Sequence, residues 1–148
     1  MITILTRRVF ASKFSVYRSA ALTLGTGGFV EVVFDAVLFD GRNEYSVANG
    51  RFTAVETGYY LLAFRVGIQD LADGKYIMVS LWLNGGPPYL ASSRTVVGGV
   101  NWVVQGANKV VHMQAGEYAS VFVYHDHGDD RLVINTEECT YLSGHRLS

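Results

Sequence analysis

Residues Phe34–Val66 read FDAVLFDGRNEYSVANGRFTAVETGYYLLAFRV, and the turn formers and apolar positions within them set the architecture. Asn49-Gly50 sits between Tyr45–Ala48 and Arg51–Ala54, and Asn-Gly between alternating residues is the strongest short hairpin signal. A tight turn is therefore expected there. After Glu56, Thr57 and Gly58, the run Tyr59–Ile68 is apolar on both parities: Tyr60, Leu62, Phe64 and Val66 on one, Tyr59, Leu61 and Ala63 on the other. An antiparallel strand with one wet face needs only one apolar parity, so both faces of this strand must be covered.

The same period of two continues outward on both sides, with turn clusters every eight to twelve residues or so, as in a sandwich of short antiparallel strands. Phe14–Leu24 reads as a first strand, closed by Gly25, Thr26, Gly27 and Gly28, and Phe29–Phe39 as a second. Tyr76–Leu83 repeats the double pattern, Ile77, Val79, Leu81 and Leu83 opposing Tyr76, Met78 and Trp82. Tyr89–Val97, Trp102–Met113, Glu117–Tyr124 and Thr140–Leu147 complete about ten strands, the number of a two-sheet jelly roll. No segment has the periodicity of an amphipathic helix.

The composition agrees. The chain has 148 residues, enough for one domain. Hydrophobic residues make up 49% and charged residues only 17%, so a lone domain would leave apolar surface wet and burial against further copies is expected. A formal net charge of −1, without a basic stripe, gives no electrostatic footprint for nucleic acid. No apolar run approaches the ~20 residues that span a bilayer. Met1–Lys13 lacks the apolar core and cleavage site of a secretory signal, which leaves export by another route, assembly inside a cell, or release from a longer protein. The single Cys139 cannot form an intrachain disulfide and reads as a small, at least half-buried side chain.

Counted along the opening stretch, Phe34 is followed after five residues by Asp40, after four more by Tyr45, after six by Phe52 and after five by Gly58, with Tyr60, Leu62 and Phe64 at alternate positions. This ladder resembles the signature of the globular head of complement C1q, a branch of the tumour necrosis factor superfamily, with Leu62 where the family usually has Phe. The likeness extends to FSVYRSA from Phe14, YIMVSLWLNG from Tyr76, Val110–Glu117 with its Ala115-Gly116 turn, and TYLSGHRL from Thr140. The resemblance implies a homotrimeric jelly roll that binds rather than catalyses. Short loops and the absence of the usual animal cysteines look more like bacterial and phage members, which tend to cap collagen-like or fibrous stalks. It divides the chain into a head over 14–148 and an extension or stalk remnant over 1–13.

His125, Asp126, His127, Gly128, Asp129 and Asp130 are the one crowd of metal-type ligands. His125 and His127 share a strand face, as a metal pair requires, and with His112 they would be the ligands of a metal-dependent, cupin-like enzyme. The Glu that such a site needs after the second His is absent, however. Asp126, Asp129 and Asp130 offer hard oxygens for calcium, a cofactor that some C1q-like heads hold, while an acidic turn in water is the ordinary reading. No Gly-x-Ser-x-Gly occurs, and the glycines at 25, 27 and 28 lack the Lys-Ser or Lys-Thr of a phosphate loop. Among the aromatic residues, Tyr89 and Trp102 lie next to turns and are the better candidates for stacking on a sugar; the others read as packing.

The sequence thus leads to an all-β, ten-stranded jelly-roll β-sandwich assembled as a homotrimer. Tyr59, Tyr60, Leu62, Phe64, Phe122 and Tyr124 are expected to divide the core and the subunit contacts between them. Such a trimer should resist heat and dissociate only on unfolding. The expected role is a non-enzymatic binding or adhesion head displayed outside the cell, on a phage tail fibre or a bacterial or spore surface filament, with a host receptor or glycan as partner. A purely structural trimerisation cap is the alternative.

Overall fold

The computed structural model describes residues 11–148, which fold into thirteen strands and no helix. They are β1 (Lys13–Tyr17), β2 (Thr23–Leu24), β3 (Val30–Val32), β4 (Ala36–Asp40), β5 (Tyr45–Ser46), β6 (Arg51–Thr53), β7 (Gly58–Leu71), β8 (Tyr76–Leu83), β9 (Pro88–Thr95), β10 (Val100–Met113), β11 (Tyr118–His125), β12 (Arg131–Leu132) and β13 (Tyr141–Arg146). One main sheet runs β10-β7-β13-β1-β4; the other runs β5-β6-β11-β8-β9, with β3 also paired to β11, and β12 pairs with β2 in a separate two-stranded ladder. All pairings are antiparallel. This is a two-sheet jelly roll.

The ladder positions have a common physical reason. Phe34, Phe52, Tyr60, Leu62 and Phe64 are fully buried in one core with Phe14, and Tyr45 is nearly so. Phe14 stacks on Phe52 with ring centroids 4.3 Å apart, and Phe52 meets Tyr60 edge-on at 5.6 Å. The Tyr45 hydroxyl accepts the Phe34 backbone amide at 2.8 Å, and burial pushes that phenol well above its ordinary range. Asp40 closes the turn between β4 and β5, its two oxygens accepting the amides of Glu44 and Tyr45. At Gly58 a Cβ would lie 2.3 Å from the Ser148 carbonyl oxygen, so that position has no room for a side chain. Leu62 lies beside Gly144, where an added Cβ would fall 2.7 Å from its Cδ2.

Three sequence expectations are revised by the fold. The strand expected over Phe14–Leu24 breaks after Tyr17, because the Arg18 guanidinium turns to the carbonyls of Ala20, Ala21 and Val33. The strand expected over Phe29–Phe39 splits between sheets: β3 joins β11, and β4 joins β1. Between them Asp35 accepts the Ser19 amide and hydroxyl and the Ala20 amide. Its partial burial opposes ionisation, but these hydrogen bonds win and hold its carboxyl below the ordinary range. The Asn49-Gly50 hairpin is real but looser than the two-residue turn expected, since Ser46 pairs with Arg51 and Val47–Gly50 all lie in the loop. Its left-handed residue is Gly50, at φ 72°.

Both ends of the domain come together. Arg146 donates its amide to the Ser12 carbonyl at 2.9 Å, and the Ser12 hydroxyl donates to the buried carboxylate of Glu44. Around them Arg42 and Arg146 both pair with Glu56, and hydrogen bonding from Arg42 holds that carboxyl below its usual range. The loops Arg18–Leu22, Ala72–Lys75, Val96–Gly99, Asp126–Asp130 and Asn135–Thr140 lie at the opposite end of the sandwich. The extension expected over 1–13 falls mostly outside the described residues.

Candidate functional site: the outer faces of the two sheets

Strand β7 buries Tyr60, Leu62, Phe64, Val66 and Ile68 and turns Tyr59, Leu61, Ala63, Arg65, Gly67 and Gln69 outward. Register places His112 and Val110 of β10 beside Tyr59 and Leu61, and Ser143 and His145 of β13 beside Ala63 and Leu61. Beyond β13 come Ser15 and Lys13 of β1, then Phe39 of β4. Tyr59 is 52% exposed, and Val110 and Phe39 are about as open. Two shallow grooves flank Ala63. One is lined by Lys13, Phe39, Leu61, Ser143 and His145, the other by Arg65, Val104, Gly106, Asn108 and Tyr141.

Among the described residues, the chain covers the far end of this face itself. A Cβ at Gly67 would lie 2.8 Å from Ile134 Cδ1 and 3.2 Å from Cys139 Cβ, so the segment after β12 lies directly on the strand. Cys139 is half-buried in that cover. From Tyr59 to Ala63 no such element crosses among the described residues.

The outer face of the second sheet differs. Phe122 and Tyr124 of β11 point outward beside Ser80 and Met78 of β8, half-buried, so they fill neither the core nor the face of the five-stranded sheet. Trp82 stacks on Phe122 at 4.1 Å, Phe29 leans on Trp82 at 5.3 Å and on Tyr124 at 5.8 Å, and Tyr124 meets Tyr76 at 6.1 Å. The Trp82 indole N–H donates to the Ser80 hydroxyl at 2.8 Å. At one margin Arg51 lies over Tyr118, 4.2 Å from its ring centroid. The second apolar parity of β8, expected to need a partner, is thus covered by rings of the same chain.

Tyr89 and Trp102 are both exposed, at 44% and 60%. Lys109 lies over the Tyr89 ring, 4.8 Å from its centroid. Lys109 and Trp102 are seven residues apart on β10, roughly 23 Å along a strand, so the two aromatic residues do not share one sugar-sized site.

The histidines do not converge. His112 lies on the outer face of the five-stranded sheet, edge-on to Tyr59 at 5.0 Å, while His125 ends β11 in the other sheet. His125 is fully buried; its Nδ1 accepts the His127 amide and its Nε2 donates to the Leu24 carbonyl, the pattern of one neutral tautomer. Burial above all, with Arg131 nearby, holds His127 below its ordinary range. Asp126 accepts the Tyr76 amide at 2.7 Å, and Asp129 pairs with Arg131, which draws its carboxyl down. Among the described residues no three His, Cys, Asp or Glu are placed to hold a metal ion. The loop expected to offer calcium ligands spends two of its three carboxylates on the Tyr76 amide and on Arg131.

The two-sheet architecture and the ladder both have a match. The C1q domain family covers residues 13–147. The chain belongs to the C1q domain family. That family is one of typically non-enzymatic, trimeric binding modules. The globular domain of zebrafish complement 1qA superposes with a TM-score of 0.70 at 19% identity, over 93% of this chain and 98% of that one. The Eiger TNF of S. frugiperda gives a TM-score of 0.70 at 13% identity, over 95% and 94%. Murine APRIL gives 0.67 at 15%, over 92% and 98%. At these identities the likeness speaks for the fold. No curated protein matches the chain.

Proposed function

We propose that this C1q domain is a non-enzymatic binding head that assembles as a homotrimer through the near half of its five-stranded sheet. The observation that carries the reading is the outward row of Tyr59, Leu61, Ala63 and Val110, an apolar strip on two long strands that no element among the described residues covers. A second copy offers a matching apolar surface, and closed symmetry lets every copy bury its strip. The tilt toward three copies comes from the family. Because Ser12 and Arg146 meet at one end, a stalk joined through 1–13 would leave the loops at the other end facing outward, three sets at a time, which favours multivalent contact with a surface. Display on a phage tail fibre or a bacterial surface filament is the setting that suits such a head, with a cell-surface receptor or glycan as its partner. Among the described residues no helix is long and apolar enough to cross a membrane.

Molar mass by light scattering tests the assembly. Three times 16.3 kDa is the expected result, and the mass of one chain at micromolar concentration would overturn the reading.

A further inference from the structure

The uncovered strip is bordered by two of the four histidines of the chain, and its other charges share one sign. His112 lies against Tyr59, and His145 is in register with Leu61 on one side and Lys13 on the other. Both imidazoles are exposed in the single chain. The outward positions of β1, β7, β10 and β13 hold Lys13 and Arg65 and, among the described residues, no carboxylate. The acidic groups nearest in sequence and fold are already engaged. Glu56 pairs with Arg42 and Arg146, Asp40 accepts the Glu44 and Tyr45 amides, and Glu117 accepts the Gln114 amide. Lys109, on the other parity of β10, is occupied with Tyr89, and the Ser148 carbonyl accepts the Tyr59 amide. Among the described residues, no side-chain carboxylate on the strands of this face stands beside either imidazole; the exposed Glu137 and Glu138 belong to the segment over its far end.

We propose that the two histidines make assembly of the head sensitive to acid: the trimer is held near neutral pH and loosened as His112 and His145 gain protons. The inference rests on the trimeric reading above. Histidine is the side chain that ordinarily changes charge between about pH 5 and pH 8. In a trimer each histidine lies at the edge of a surface that also buries a lysine and an arginine per copy. Protonation then adds six positive charges to a contact whose described strand positions hold no side-chain acid. Like charges set opposite one another across an interface oppose association strongly. Neutral imidazoles carry no such penalty, and the edge-on contact with Tyr59 is then an ordinary aromatic pair. Protons therefore bind more tightly to the separated chains, and acid favours separation.

Sedimentation or light scattering at about pH 7.5 and about pH 5.5 tests this, with the wild-type chain and a His112→Gln, His145→Gln double variant, while circular dichroism follows the fold. The dissociation constant of the wild type is expected to rise on the order of tenfold or more on acidification, and that of the double variant to stay level. A wild-type trimer equally tight at both pH values overturns the inference and leaves the trimer standing. Equal weakening of wild type and double variant assigns the effect to other groups and also overturns it. A single-chain mass at both pH values overturns the trimer itself, and this inference with it.

Discussion

Strand β7 turns an exposed Tyr59 and half-buried Leu61 and Ala63 outward with no ring over them among the described residues, whereas strand β8 lays Met78 and Trp82 beside rings from its own chain. In sequence the two strands carry the same double apolar pattern. The difference lies in their neighbours across the sheet. Next to β8 runs β11, whose outward residues are Phe122 and Tyr124, and the turn ending at Gly28 brings Phe29 against Tyr124 and Trp82. Next to β7 run β13 and β10, whose outward residues at the near end are Ser143, His145, Val110 and His112, too small or too polar to close a cover. A doubly apolar strand is therefore a demand for burial. Whether the chain or another copy meets it depends on residues far away in sequence.

Leu61→Asp gives the largest expected effect. A carboxylate in the middle of the strip should bring the mass from three chains to one, while circular dichroism keeps its β signature, since the side chain points out of the core and is only half-buried in the single chain. A variant that stays trimeric would move the interface elsewhere. Phe122→Ala strips the stack from Trp82 on the other sheet. Its ring is half-buried, so a loss of about 2–3 kcal/mol is expected in urea unfolding, with the mass unchanged. If that variant instead fell to a single chain, the contrast between the faces would be wrong. Gly67→Ala examines the far end of β7, where the chain supplies its own cover. The new Cβ must displace Ile134, and a loss of about 1–2 kcal/mol with an intact trimer is expected.

The smallest effect belongs to the near-end ion pairs. Arg42 holds the Glu56 carboxyl below its unfolded value, so the stabilisation is present above the ordinary carboxylate range and is lost as pH falls through the lowered folded value. Glu56→Gln should therefore flatten the acid limb of a thermal-denaturation profile slightly and leave the neutral region almost unchanged. Because both partners are partly open to water, salt should shrink even that difference.

Much of the architecture could be read from local pattern. Phe34, Asp40, Tyr45, Phe52 and Gly58 are spaced as they are because one core and one turn need them, and those needs act over short stretches of chain. What alternation does not report is sheet membership. Phe29–Phe39 keeps its period while crossing from β11 to β1, and the hinge at Asp35 is set by Ser19 and Ala20, well upstream. The break after Tyr17 was hidden likewise, since Arg18 serves carbonyls as distant as Val33. The two outer faces were the hardest to read. Phe122 and Tyr124 carry the same chemistry as Tyr59, and only the placement of Phe29 and Trp82 marks them as a cluster closed within the chain.

Hydroxyl-radical footprinting of the wild type beside Leu61→Asp, with Tyr59 and Trp82 followed by mass spectrometry, tests the contrast most directly. Tyr59 should be protected in the wild type and become reactive in the variant, while Trp82 reacts equally in both. Tyr59 as reactive in the wild type as in the variant, or Trp82 newly exposed along with it, would contradict the account.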